Sequence, residues 1–124
     1  MKKTILTIDD NESVTETIKY DLMTLNPDWE VISARSGKEG IKFLETKAVD
    51  VILLDIMMPE MDGWGVTTLL KENKKTNKIP IIFLTAKTDD LSKGMGGLAS
   101  DDYIEKPFDM FDLNKRIKKI LKTK

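Results

Sequence analysis

The chain has 124 residues, a length that suits one domain with a core of its own. With 40% hydrophobic and 33% charged residues it reads as an ordinary water-soluble globule, and a net charge of −1 gives no electrostatic pull toward nucleic acid or an anionic membrane. It contains neither cysteine nor histidine, which excludes disulfides, thiolate nucleophiles, zinc–sulfur sites and the commonest side-chain general base. No apolar run is long enough to span a bilayer. The charged start Met1-Lys2-Lys3 leads into an apolar stretch that Asp9-Asp10 cuts off, so no secretion signal is predicted and the chain is expected in the cytoplasm.

In chain order, Thr4 to Ile8 reads as a strand ending abruptly in Asp9-Asp10-Asn11. A helix follows from about Asn11 to Leu25, with Val14, Ile18, Leu22 and Leu25 on one face and Asn26-Pro27-Asp28 as its stop. Trp29 to Ala34 alternates like a strand with one wetter face, as at a sheet edge. Ser36 and Glu39 have the spacing of a capping box for a second helix that carries Ile41 and Leu44 inward. Val51-Ile52-Leu53-Leu54-Asp55 is an unbroken apolar run into a carboxylate, the pattern of a strand buried on both faces of a parallel sheet. A third helix is predicted near Asp62 to Asn73, with Val66, Leu69 and Leu70 as its stripe.

Ile79 to Leu84 reads as another buried strand, with Pro80 near its start, ending in Thr85-Ala86. A helix is expected over Thr88 to Ser100, short or irregular because Gly94, Gly96 and Gly97 each cost roughly 1 kcal/mol in a helix interior. Asp101 to Glu105 is a short fifth strand leading to Lys106-Pro107. A last helix begins at Asp109 and packs Leu113, Ile117, Ile120 and Leu121. Its other positions, Lys115, Lys118, Lys119, Lys122 and Lys124, read as a solvated basic face.

Five strand–helix alternations predict a three-layer α/β/α sandwich, a single domain over residues 1–124, with a parallel sheet and right-handed crossovers. Five strands fit the flavodoxin-like order 2-1-3-4-5, whose crevice opens between the first and third strands. At the carboxyl ends of strands one, three, four and five this order presents Asp9-Asp10, Asp55, Thr85 and Lys106. Each residue has an ordinary reading when taken singly: a helix cap, a turn former, a strand-end hydroxyl, a solvated charge. Together they make a site. Three close carboxylates repel, and a hard divalent cation with oxygen ligands, Mg2+ or Mn2+, relieves the repulsion. Lys106 and Thr85 add a positive charge and a hydroxyl for an anion, which suits phosphoryl transfer onto Asp55.

At these residues the sequence resembles the receiver domain of two-component response regulators. The matching pieces are Asp9-Asp10, Asp55 with Met58-Pro59 and Asp62-Gly63, Thr85-Ala86, and Asp102-Tyr103 ahead of Lys106-Pro107-Phe108. They run in order along nearly the whole chain. At Ala99-Ser100 the chain departs from the Gly-Ala usual before Asp-Asp-Tyr.

The resemblance implies that Asp55 is the phosphoacceptor for a histidine kinase or phosphotransfer protein. It implies that Asp10, Asp55 and the Met57 carbonyl ligate the metal directly, with Asp9 acting through a water. Thr85 and Lys106 would bind the phosphoryl oxygens, the Lys106-Pro107 bond would be cis, and Thr85 and Tyr103 would move together on activation. The responding face would be the helix over 88–100, the fifth strand and the last helix. The absent histidine fits a donor imidazole carried by another protein. The domain would act on itself alone, without a separate substrate and so not as an enzyme. It would work as a monomer, with dimerisation on phosphorylation and the downstream output left open.

Other readings share the fold. An aspartyl-nucleophile phosphatase would also use Asp55 and Mg2+, but it usually needs an acid where Met57 stands, and a cap domain. A flavodoxin-type binder would find Asp9-Asp10-Asn11-Glu12 repelling its phosphate. A non-phosphorylated docking module would have no need of the intact site residues.

Overall fold

Residues Val51 to Leu54 have no exposure to solvent, which is possible only for a strand covered on both faces and flanked on both edges. Each such side chain contributes about 1.5–3 kcal/mol by leaving water, so this segment fixes the middle of the molecule. The computed structural model describes residues 2–56, 63–86 and 102–122. Their elements are β1 (Lys3–Ile8), α1 (Glu12–Leu25), β2 (Trp29–Ala34), α2 (Gly37–Thr46), β3 (Val51–Asp55), α3 (Gly63–Glu72), β4 (Ile81–Ala86), β5 (Asp102–Lys106) and α4 (Met110–Lys122). The five strands form one sheet in the order β2-β1-β3-β4-β5, and every pair is parallel. The expected α/β/α sandwich and its strand order are therefore present, with β2 at an edge.

The period of two along each strand sorts the core into two layers. Leu6, Ile8, Ile52, Leu54, Ile81 and Phe83 pack with Leu44 of α2 and with Val66 and Leu70 of α3. On the other face, Ile5, Val51, Leu53, Ile82, Leu84 and Ile104 pack with Ile18 and Leu22 of α1 and with Leu113 and Ile117 of α4.

Local signals in the sequence explain most of the helix ends. Asn11 is the N-cap of α1, its side-chain oxygen accepting from the amides of Ser13 and Val14, so the helix proper starts one residue later than expected. Ser36 caps α2 by accepting from Glu39 N–H. The returning bond of the predicted box goes elsewhere, with Glu39 Oε1 accepting from the amide of Arg35. Asp109 caps α4, which begins at Met110.

Two apolar residues assigned inward face solvent instead: Leu25 is 38% exposed and Leu69 44%. At the end of α1 the buried group is Asn26, whose amide donates to Leu22 O at 2.9 Å and to Asn114 Oδ1 at 2.7 Å. On α3 the inward positions are Val66, Thr67 and Leu70, and Leu69 is rotated about 100° from Leu70.

Two strands also run further toward their carboxyl ends than the apolar pattern suggested. β4 starts at Ile81 rather than Ile79 and includes Thr85 and Ala86. β5 starts at Asp102 and includes Lys106, paired with Ala86. Apolar patterning stops where side chains turn polar, while the backbone ladder continues to the site. The expected helix over 88–100, the carbonyl of Met57, the Met58-Pro59 stop and Asp62 lie outside the described residues.

Candidate functional site

The side-chain alternation that builds the second core layer also aims the site. Val51 and Leu53 precede Asp55 by even steps on β3, Ile104 precedes Lys106 on β5, and Ile5 and Thr7 precede Asp9 beyond β1. Asp9 continues its strand in all but name, since its amide donates to Ala34 O at 3.0 Å. Asp9, Asp55 and Lys106 thus leave the same edge and the same face of the sheet, the face that carries α1 and α4.

There they meet. One carboxylate oxygen from each of Asp9, Asp10 and Asp55 lies within 4.8 Å of the others. Asp9 is fully buried, Asp55 is 5% exposed, and Asp10 is open to solvent. Both oxygens of Asp9 are engaged: Oδ1 accepts from Asn11 N–H at 2.9 Å, and Oδ2 accepts from Lys106 Nζ at 2.7 Å. Lys106 Nζ is also 3.6 Å from Asp55 Oδ1, an ion pair beyond hydrogen-bonding reach. The ammonium thus offsets part of the repulsion among the three carboxylates.

The donor set fits a hard divalent cation. It is all oxygen, two of its three carboxylates are withdrawn from water, and the third is open on the solvent side, as an ion that keeps several waters requires. The Lys106-Pro107 peptide is cis, as the resemblance implied. Beside Lys106, a groove of about 580 Å³ runs between Val14, Thr17 and Ile18 of α1 and the segment Pro107, Phe108 and Met110.

Four of the sequence-predicted site residues are gathered here. Asp9, Asp10, Asp55 and Lys106 converge. Thr85 is described by its backbone, in β4 opposite Glu105, so the role expected of its hydroxyl lies outside the description, as does that of Met57. Tyr103 sits on β5 opposite Phe83, partly buried against the core layer of α2 and α3. The ordinary reading of Asp9-Asp10 as helix caps fails, because Asn11 does that work. Sequence reasoning missed the Asp9–Lys106 bond and the part of Asn11 in holding Asp9. An Asn just ahead of a helical pattern was a legible cap signal; the ion pair spans 97 positions and had no local sign.

Comparison with known proteins agrees with this geometry. The family model described as the response regulator receiver domain matches residues 5–118. The alkaline phosphatase synthesis transcriptional regulatory protein PhoP of Bacillus subtilis is 40% identical over 123 residues, covering 98% of this chain and 50% of that protein. A probable transcriptional regulator, ycf27, of Cyanidium caldarium is also 40% identical, over 95% of this chain and 46% of its own. The chain thus spans about half the length of the curated relatives it matches. Among solved structures, the signal receiver domain of a signal transduction histidine kinase from Syntrophus aciditrophicus superposes with a TM-score of 0.88 at 30% identity, covering 98% of this chain and 91% of that one. A CheY-like response regulator receiver domain from Methanospirillum hungatei gives 0.84 at 34% identity, covering 98% and 95%. With acidic strand ends, fold and family model in agreement, the chain belongs to the receiver domains of two-component response regulators.

Proposed function

We propose that the domain over residues 1–124 takes a phosphoryl group onto Asp55 from the phosphohistidine of a kinase or phosphotransfer protein. The observation that carries this reading is the convergence of carboxylate oxygens of Asp9, Asp10 and Asp55 within 4.8 Å of one another, with the ammonium of Lys106 paired to Asp9 and Asp55. Asp55 is the carboxylate to assign as acceptor. It ends the central strand, it has little exposure, and Lys106 Nζ stands 3.6 Å from its Oδ1, a cation placed where the oxygens of a phosphoryl group on Asp55 would need one. Asp9 has both oxygens committed, to the Asn11 amide and to Lys106.

Asp9, Asp10 and Asp55, with the Met57 carbonyl, are the residues that would hold Mg2+ or Mn2+. Such an ion supplies charge neutralisation for the phosphoryl group and its leaving group. Lys106, swinging from Asp9 toward the new phosphoryl oxygens, would stabilise the dianion, with the Thr85 hydroxyl as a further donor. With no histidine among these 124 residues, the donor imidazole would lie outside them. The apolar groove beside Lys106 gives that partner a surface next to the acceptor. Tyr103 is the ring we assign to the response, and a transcriptional output is the readout suggested by the names of the relatives.

Incubation with acetyl phosphate and Mg2+ tests the reading. An acid-stable, hydroxylamine-sensitive adduct on Asp55, absent from Asp55→Asn, is expected. Rapid turnover of unrelated phosphoesters would favour a phosphatase, and no adduct at any Mg2+ concentration would favour a docking module.

A further inference from the structure

The start of β5 is held by one side chain from α4. Arg116 donates from NH1 to both oxygens of Asp102, at 2.9 and 3.0 Å, and to the Tyr103 carbonyl at 3.2 Å. Its Nε donates to Asp112 at 3.1 Å, one turn back on the same helix. The amide of Tyr103 donates in turn to Asp102 Oδ1 at 2.8 Å. Both backbone polar groups of Tyr103 are therefore taken by side chains, at the outer strand of the sheet, where a neighbouring strand would otherwise be needed.

Burial alone would lower the pKa of Arg116. The hydrogen bonds and charges of Asp102 and Asp112 outweigh it and raise the pKa, so this cation is fixed at any working pH. The opposite end of the same short strand carries Lys106, bound to Asp9 and close to Asp55. β5 is thus pinned by charge at both ends, with Tyr103 between the pins and its ring against the core layer that contains Phe83.

We infer that Arg116 is a positioning residue for Tyr103: with Asp102 it fixes the tyrosine backbone on the open edge of β5, and so sets how the ring seats on the core and ties that seat to α4. Two features separate this from a surface ion pair of little consequence. The guanidinium reaches Asp112 through Nε and Asp102 with the Tyr103 carbonyl through NH1 at once, a two-nitrogen arrangement that lysine, with its single nitrogen, cannot reproduce. The carboxylate it holds also caps the same residue's amide. That Tyr103 responds to phosphorylation rests on the function proposed above; that Arg116 seats it does not.

The chain has only two tyrosines, and Tyr20 on α1 is 72% exposed, so 3-fluorotyrosine incorporation gives one reporter and one internal reference. In Arg116→Met the Tyr103 fluorine resonance should move toward that of Tyr20, and the Tyr103 amide should exchange at least about tenfold faster. The Tyr20 signal should stay in place. Arg116→Lys, which keeps the charge and the fold, should shift Tyr103 in the same direction by less, and Asp102→Asn should reproduce the methionine variant. A Tyr103 resonance unmoved in folded Arg116→Met or Arg116→Lys overturns the inference. These spectra need no phosphorylation and are repeated in Asp55→Asn. Acetyl phosphate labelling of the Arg116 variants is read separately. A change of about threefold or more supports coupling from α4 to the acceptor, and unchanged labelling with a displaced Tyr103 removes that coupling while leaving the positioning role.

Discussion

Lys106 Nζ lies 2.7 Å from Asp9 Oδ2, and the two side chains are unequal in their access to water: 25% exposed for the lysine, 1% for the aspartate. The pair is therefore asymmetric in what each partner loses. Removing Lys106 leaves a buried carboxylate beside two others with no cation. Removing the charge on Asp9 leaves a partly solvated ammonium that still has Asp55 at 3.6 Å. Lys106→Met should cost about 2 kcal/mol, below the ~3–5 of a fully buried pair because part of the lysine remains in water. Asp9→Asn should cost less than about 1 kcal/mol, since asparagine keeps an oxygen for the Asn11 amide. Urea denaturation without divalent ions checks the order, and an Asp9→Asn variant less stable than Lys106→Met would refute it.

Divalent binding should separate the three carboxylates by exposure. Asp10 is open to solvent and no ion pair joins it to Lys106 among the described residues, so Asp10→Ala removes a proposed ligand while leaving the Asp9–Lys106 pair in place. Loss of a direct ligand should weaken Mg2+ at least about tenfold, the lower end of what even outer-shell changes cause, with little change in stability of the metal-free domain. Titration calorimetry gives the first quantity and urea denaturation the second. Equal Mg2+ affinity in the variant would remove Asp10 from the proposed metal site.

How much of this was legible in the sequence depends on the range of each interaction. The buried run Val51 to Leu54 ending in Asp55, the alternation of elements, and the strand-end acids were readable because each signal is local and repeats with a known period. The inward assignments of Leu25 and Leu69 failed at helix margins, where a polar cap or a rotation of the buried stripe decides the outcome. The extension of β4 through Thr85 and of β5 through Lys106 was hidden because hydrogen-bond pairing, unlike side-chain polarity, leaves no mark on composition. The contacts of Lys106 with Asp9 and of Arg116 with Asp102 depend on which helix and strand ends adjoin after folding.

Gly40 gives a packing test of how α2 rests on β1. A Cβ built there would meet Ile8, with Cγ1 at 2.9 Å and Cδ1 nearer still, and Ile8 has no exposure and no free direction in which to turn. Alanine gains about 1 kcal/mol of helix propensity, and overpacking a closed core costs typically 1–3. Gly40→Ala should therefore be destabilised by about 1 kcal/mol net. Adding Ile8→Val, which deletes the nearest atom, should recover part of the loss in a double-mutant cycle. Additive losses from the two changes would mean that the helix shifts away from Ile8 instead.

Thr7 supplies the opposite kind of test, a substitution that should stabilise. Its side chain lies on β1 with no exposure, beside Leu53 of β3 and Ser33 of β2 in the strand register. Its Oγ1 is a buried side-chain atom without a hydrogen-bond partner among the described residues. A buried hydroxyl left unsatisfied costs about 1–3 kcal/mol, and valine has nearly the same shape without that cost. Thr7→Val should raise stability by about 1 kcal/mol, seen as a higher urea midpoint at unchanged slope. Thr7→Ser keeps the hydroxyl and deletes a methyl group, so it should lose about 1 kcal/mol. The contrast between the two variants isolates the hydroxyl from the packing around it. Because Thr7 touches neither Asp55 nor Lys106 through a hydrogen bond, labelling by acetyl phosphate should be unchanged in Thr7→Val. A destabilised Thr7→Val would instead reveal an internal water bound to Oγ1, two residues below Asp9.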